Sequence, residues 1–242
     1  MNIAVVFAGG TGQRMHSKEK PKQFLTIYGI PIIVHTLRHF QNNVNIDAIV
    51  VSCIETWIDH LSSLVKIYNL DKVKKIIPGG STGQLSIYNG LLAAKELSAS
   101  EKSIVLIHDG VRPMINDELI NKNIESVKVN GSAITTVTVK ETIMEVADDG
   151  MIKYIPSRKN SRLARAPQSF WLNDILDVHT KALAEGYADF IDSCTMMHHY
   201  NKKLYLIDGP NENIKITTPE DFYIMRAILD AKENSQIYDY DD

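Results

Sequence analysis

The chain has 242 residues, 44% of them hydrophobic, and 26 Lys plus Arg against 29 Asp plus Glu give a formal net charge of −3. That length fits one large α/β domain, or one domain with an appendage, and the apolar content suffices for a substantial core. The slight acidic excess argues against a nucleic-acid surface, two cysteines far apart (Cys53 and Cys194) argue against a disulfide framework, and no apolar run reaches a membrane span.

Strand and helix signals then alternate along the chain. Ile3–Ala8 is a short apolar run with no basic and apolar leader before it, which suggests a soluble cytoplasmic protein. It empties into Gly9-Gly10-Thr11-Gly12, followed by Arg14, Lys18, Lys20 and Lys22. Helical spacing is seen over Pro31–Phe40, Glu55–Tyr68, Ser86–Leu97, Asn116–Val129, Asn173–Ala184 and Pro219–Lys232. Strand signals fall at Ala48–Ser52, Val73–Ile77, Ser103–His108, Ala133–Val139 and Lys203–Ile207. The alternation predicts an α/β fold: a doubly wound, mostly parallel sheet, Rossmann-like, with helices on both faces. One element interrupts it. Glu141–Val146 and Ile152–Ile155 flank Asp148-Asp149-Gly150, a strong hairpin signal. This inserted β-hairpin, an arm over about residues 140–166, has apolar residues that need a surface to pack on, and a second subunit would supply one. Ser157 to Arg165 reads as a polar, cationic segment and Ile237–Asp242 as a frayed acidic tail. There is no linker or repeat, so residues 1–242 read as a single domain.

In a parallel sheet, ligands bind beyond the carboxyl ends of the strands, and four segments converge there. The first is the glycine turn with Arg14 and Lys22, where bare N–H groups and cations suit a polyphosphate. Its G-G-x-G pattern is neither a P-loop nor a dinucleotide fingerprint. The second, Gly79 to Ser86, is another glycine loop opening a helix. The third, His108-Asp109-Gly110-Val111-Arg112-Pro113, delivers a carboxylate to the mouth of the sheet, where Asp109 suits a hard cation such as Mg²⁺ or could simply pair with Arg112. The fourth, Asn213 to Asp221, carries Lys215 and a helix start capped by Thr218, Pro219 and Asp221. His198-His199 lacks zinc-ligand spacing, and no serine-hydrolase elbow occurs.

Taken together, AGGTGQRM, PKQFL, PIIVHTL, GGSTGQLSIYNGL, VLIHDGVRP, KETI, APQSF and NIKITTPEDF, in this order between Asn2 and Leu229, resemble the polyol-phosphate cytidylyltransferases. That family comprises the methylerythritol-phosphate enzymes of isoprenoid synthesis and the ribitol-phosphate enzymes of teichoic-acid synthesis. The resemblance implies that CTP and a polyol phosphate give a CDP-polyol and pyrophosphate with Mg²⁺. It implies CTP binding by Phe7, Ala8, Gly9, Gly10 and Thr11 and by Gly80, Ser81, Thr82, Gly83, Gln84, Leu85 and Ser86. It assigns catalysis to Arg14 and Lys22, metal binding to Asp109, and substrate positioning to Thr142, Arg158 and Lys215. Thr142 and Arg158 would act across a homodimer formed through the arm. Two departures stand out: Gly83 where the family usually has arginine, and Ala166 where it has threonine before Pro167-Gln168. Val111 and the single acid in Ile191-Asp192-Ser193-Cys194 favour D-ribitol 5-phosphate, whereas the stretch TVTVKETI leans to 2-C-methyl-D-erythritol 4-phosphate. A non-catalytic nucleotide-binding regulator on the same scaffold is the contrasting possibility, and Arg14, Lys22, Asp109 and Lys215 argue against it.

Overall fold

A computed structural model of the chain describes residues 1–10, 20–98 and 102–234. The elements in chain order are β1 (Asn2–Ala8), β2 (Thr26–Ile27), β3 (Ile30–Pro31), α1 (Ile32–Asn42), β4 (Ala48–Cys53), α2 (Ile58–Ile67), β5 (Val73–Pro78), α3 (Gly83–Leu97), β6 (Ile104–Asp109) and α4 (Asp117–Asn130). There follow β7 (Ser132–Thr138), β8 (Glu145–Val146), β9 (Ile152–Tyr154), β10 (Arg162–Trp171), α5 (Leu172–Ala184), α6 (Ser193–His199), β11 (Leu206–Asp208) and α7 (Pro219–Asn234).

Seven strands form one sheet in the order β11-β7-β10-β6-β1-β4-β5. The pairings are parallel except those of β10, which runs antiparallel to both β6 and β7. β1, β4 and β6 are apolar on both faces because helices cover both. Ala4, Val6 and Ala8 of β1 pack with Leu37 and Phe40 of α1, Leu61 of α2 and Ile124 of α4. Ile3 and Val5 pack on the opposite side with Ile87 and Leu91 of α3, Ile175 and Val178 of α5 and Met196 of α6. A smaller cluster joins α7 to the mouth of the sheet through Val111, Met114, Ile216 and Met225. Among the described residues no helix is long and apolar enough to cross a membrane.

The doubly wound, mostly parallel sheet is as the sequence predicts. Three details differ. The segment read as polar from Ser157 to Arg165 instead runs into β10, which occupies the sheet between β6 and β7. Its first half is exposed, and only from Ala166 onward is it buried, so its residues carry no clear strand signature. α6 is only seven residues long and forms around the Asp192 cap, whose carboxylate accepts from Thr195 N at 2.8 Å. The hairpin is present, but its paired strands shrink to Glu145–Val146 and Ile152–Tyr154, closed by Gly150 at φ 85°.

Gly90 shows how tightly α3 sits on the sheet. An added Cβ would lie 2.6 Å from Val5 Cγ1 and 2.9 Å from Ser52 Oγ. Gly90→Ala should destabilise the protein by about 1–3 kcal/mol through overpacking. A denaturation midpoint equal to that of the parent would show that α3 and β1 separate without cost.

Candidate active site

The parallel register brings the ends of three strands together. Phe7 of β1 lies opposite Ser52 of β4 on one side and Asp109 of β6 on the other. The loops leaving β1, β5 and β6 therefore open at the same edge of the sheet. The first turn is fastened by Gln23, whose Nε2 donates to the carbonyls of Ala8 at 2.7 Å and Gly10 at 3.3 Å. Gln23 sits on a short 3-10 turn, Lys22–Phe24, that also presents Lys22. Phe24 anchors this turn by stacking on Trp57 with ring centroids 4.6 Å apart. Of the predicted residues, Thr11 and the catalytic candidate Arg14 lie outside the described residues.

The second glycine loop is held closed from within. At Gly80 a Cβ would fall 2.3 Å from Leu85 Cβ, so only glycine lets the chain cross the start of α3. Ser86 Oγ accepts from Gly80 N at 2.9 Å and donates to Thr82 O at 2.9 Å. Thr82 caps α3, accepting from Leu85 N at 3.1 Å while donating to Ala188 O at 2.6 Å. Gln84 is occupied at both ends of its amide, by Tyr187 O at 2.9 Å and Phe190 N at 2.7 Å. These three side chains shape the loop, and the positive end of the α3 dipole faces the site through Gly83.

Asp109 is the electrostatic centre. Its Oδ1 lies 2.7 Å from Lys215 Nζ and its Oδ2 2.6 Å from Arg112 Nε. Burial alone would raise its pKa, but the guanidinium of Arg112 and the ammonium of Lys215 outweigh burial and hold it well below the usual carboxylate range. Arg112 in turn donates from Nη1 to Asn213 O at 3.0 Å, and Asn213 Nδ2 donates to Ala166 O at 2.6 Å. Ile216 N donates to Val111 O at 2.9 Å. The Lys215 segment is thus sewn to the end of β6, and Asp221 Oδ2 fixes its far end by accepting from Thr217 N and Thr218 N, each at 2.8 Å. His108 is fully buried beside this centre; burial pushes it down to about 4, and its Nε2 is bonded to Arg112 O at 3.0 Å.

Two cavities meet here. The larger, about 620 Å³, is walled by Lys22, by the predicted residues Phe7 to Gly10, and by Gly80 to Gly83 and Ser86 of the second loop. The smaller, about 240 Å³, includes Gln84, Arg165, Ala166, His179 and Ser193 in its wall. Phe7, Gly83, Asp109 and Lys215 belong to both. Leu85 lines neither, and nor do Thr142 and Arg158, which are exposed on the arm, where Arg158 Nη1 donates to Lys140 O at 3.2 Å. Sequence reasoning missed the fastening role of Gln23, together with Asn213, His179 and Ser193. Gln23 and Asn213 lie within PKQFL and NIKITTPEDF, but their roles come from contacts with Ala8 O and Ala166 O that the motifs do not spell out, and no local signal marks His179 or the Ser193 hydroxyl.

Asp109 is the one carboxylate among the described residues of the larger cavity, and no cluster of three or more metal-binding side chains occurs among the described residues. Each oxygen of Asp109 already meets a cation, Oδ1 with Lys215 and Oδ2 with Arg112, as the sequence allowed for Arg112, so an Mg²⁺ held here would take a remaining carboxylate lone pair and draw most of its shell from phosphate oxygens and water.

A strand-end site with two glycine loops, a buried lysine and a carboxylate flanked by cations suits a polyphosphate ligand on an α/β scaffold. The profile of the IspD family, 2-C-methyl-D-erythritol 4-phosphate cytidylyltransferase, matches residues 2–231, and the chain belongs to that family of CTP-dependent cytidylyltransferases. It is 55% identical over 238 residues to a ribitol-5-phosphate cytidylyltransferase of Streptococcus agalactiae serotype V, covering 98% of this chain and 99% of that protein. It is 39% identical over 230 residues to a 2-C-methyl-D-erythritol 4-phosphate cytidylyltransferase of Clostridium novyi, covering 95% and 96%. The fold superimposes on the crystal structure of 4-diphosphocytidyl-2C-methyl-D-erythritol synthase from Anaerococcus prevotii with a TM-score of 0.80 at 27% identity, covering 95% of this chain and 98% of that one.

Two outcomes are expected from this geometry. Lys22→Ala should lower kcat by about 10² or more with a smaller effect on KM for CTP, because charge builds on the transferring phosphate only as attack proceeds; steady-state kinetics at saturating CTP decides it. The second concerns acid stability. Because the folded-state pKa of Asp109 is depressed, its contribution is complete above its unfolded value of about 3.9 and is lost as pH falls below that. Asp109→Asn should lower stability near neutrality and flatten the acid limb of a denaturation-versus-pH curve below about pH 4. Parallel acid limbs for parent and variant would show that this ion pair does not govern acid unfolding.

Proposed function

We propose that the protein is a D-ribitol 5-phosphate cytidylyltransferase, making CDP-ribitol and pyrophosphate from CTP and D-ribitol 5-phosphate. The observation that carries the reaction class is the meeting of a nucleotide-sized cavity and a smaller one across Asp109 and Lys215. The substrate rests on the higher identity to ribitol-5-phosphate cytidylyltransferases, 55% against 39%.

CTP lies in the larger cavity with its triphosphate along Gly9, Gly10 and the start of α3, and the polyol phosphate enters the smaller one. A phosphate oxygen of the polyol attacks the α-phosphorus in line. One P–O bond forms, the bond to the β-phosphate bridging oxygen breaks, and pyrophosphate leaves with the electron pair. No proton transfer or covalent enzyme intermediate is needed, so catalysis is positioning and charge stabilisation. Lys22, with Arg14, stabilises the charge that builds on the α-phosphate. Lys215 and Arg112 offset the repulsion between the two anions. Asp109 would hold Mg²⁺, which when bound neutralises the triphosphate and orients its oxygens.

A homodimer completes the site. The arm leaves Val146, Met151, Ile152 and Tyr154 between 58% and 67% exposed, and a two-stranded hairpin is marginal alone in water. Seated on a second copy of the chain, it would bring Thr142 and Arg158 to that copy's polyol phosphate.

Pyrophosphate release from CTP and Mg²⁺ should be fastest with D-ribitol 5-phosphate, and faster turnover with 2-C-methyl-D-erythritol 4-phosphate would replace the substrate assigned here. Mixing inactive Arg158→Ala with inactive Lys215→Ala protein should restore part of the activity, since heterodimers carry one intact site. No recovery despite demonstrated subunit exchange would place the arm on its own chain.

A further inference from the structure

The smaller cavity holds an excess of unanswered polar groups. Six buried side-chain polar atoms among the described residues have no hydrogen-bond partner, and four belong to its wall: Arg165 Nε, Ser193 Oγ and both ring nitrogens of His179. Buried polar atoms are nearly always paired, and each exception calls for a reason. His179 is only 1% exposed, with its ring stacked on Tyr88 at 5.6 Å between centroids. Ser193 is 3% exposed. The other polar groups nearby are already committed. Gln168 Nε2 donates to Asp192 Oδ2 at 2.9 Å and its Oε1 accepts from Cys194 N at 2.8 Å. Asp192 Oδ1 caps α6. This network holds Ser193 in place and leaves its hydroxyl unanswered.

The unanswered groups differ in kind. Arg165 stands on the irregular stretch of β10 between Ala164 and Gln168, where the register with β7 shifts, and such bulges re-aim side chains. It shares the cavity with Arg112 and Lys215, and burial first and the nearby charge of Arg112 second disfavour its own charge, which a bound anion would relieve. Next to it, Ala166 has no hydroxyl to offer a phosphate. His179 and Ser193 are neutral partners. Burial pushes His179 down to about 4, so near neutrality the imidazole carries one N–H and one lone pair, which suits an alcohol.

Resting on the substrate class assigned above, we propose that Arg165, Ser193 and His179 are specificity-determining residues for the polyol phosphate. Arg165 grips the phosphate, and Ser193 and His179 hydrogen-bond the hydroxyls of the carbon chain. The test compares D-ribitol 5-phosphate with glycerol 3-phosphate, which has the phosphate but lacks the distal hydroxyls. Dissociation constants are measured by calorimetry and KM by pyrophosphate release. Arg165→Met should weaken both ligands about tenfold or more and leave KM for CTP unchanged. Ser193→Ala and His179→Phe should weaken ribitol 5-phosphate severalfold and leave glycerol 3-phosphate unaffected, and His179→Asn should recover part of the loss. Equal weakening of both ligands by the Ser193 and His179 variants, or a matching rise in KM for CTP, would reduce these residues to structural roles and overturn the proposal. Unchanged binding in all variants would also overturn it. A parent that binds ribitol 5-phosphate in the predicted pattern yet releases no pyrophosphate would instead sink the assigned reaction and leave the recognition intact.

Discussion

A single buried carboxylate shared by two cations organises this molecule. Asp109 could not stay ionised in the sheet interior alone, and Arg112 and Lys215 are what keep it so. Removing one partner of such a set leaves an uncompensated buried charge, which is far more costly than the pair is stabilising. The three residues come from the end of β6, the turn after it and a segment about a hundred residues further on, so the ion pairs also fix the chain path around the mouth. Two cations on one carboxylate leave a positive surplus, and Lys22 and Arg165 add to it. A partly dry pocket with excess positive charge is built for substrates that bring several negative charges, and there preorganised cations exceed their strength in water.

Much of this was legible in the sequence. β1, β4 and β6 announce themselves as apolar runs because both of their faces are covered; the first glycine turn follows β1, Asp109 ends β6, and the second glycine loop follows the shorter apolar run of β5. Lys215 and the capped start of α7 were legible for the same reason, since a local signal names each. β10 was not, because its opening Arg162-Leu163-Ala164-Arg165 mixes cations with small or exposed apolar residues in no strand pattern, and its place between β6 and β7 is set by partners distant in sequence. Gln23, Asn213 and His179 were invisible for a related reason: an amide or imidazole gains its role only from what the fold puts against it.

The second glycine loop shows how motif and contact divide the work. Its residues look like a row of hydroxyls and amides ready to meet a nucleotide. Yet Thr82, Gln84 and Ser86 bond to the loop itself and to residues 187–190. Specificity in such a loop resides in backbone placed by side chains, so the two functions cannot be separated by substitution alone. Changing Gln84 would alter the position of the Gly80–Gly83 backbone and that of residues 187–190 together, and with them a wall of each cavity.

The direction of β10 explains why the second cavity exists at all. Had this strand run parallel to β6, its beginning would lie at the far edge of the sheet. Running antiparallel, with Gln168 opposite Ile107, it passes the end of β6 near its own start, so Arg165 and Ala166 overhang Asp109. The arm lies immediately upstream of that start. One reversed strand therefore does two things: it adds a wall that a fully parallel sheet would not have, and it roots the hairpin beside the site and not behind it. An exposed apolar arm rooted at the mouth could pack on a second molecule only with its base held close to the two cavities, so any subunit contact made through it would be coupled to the shape of the smaller one.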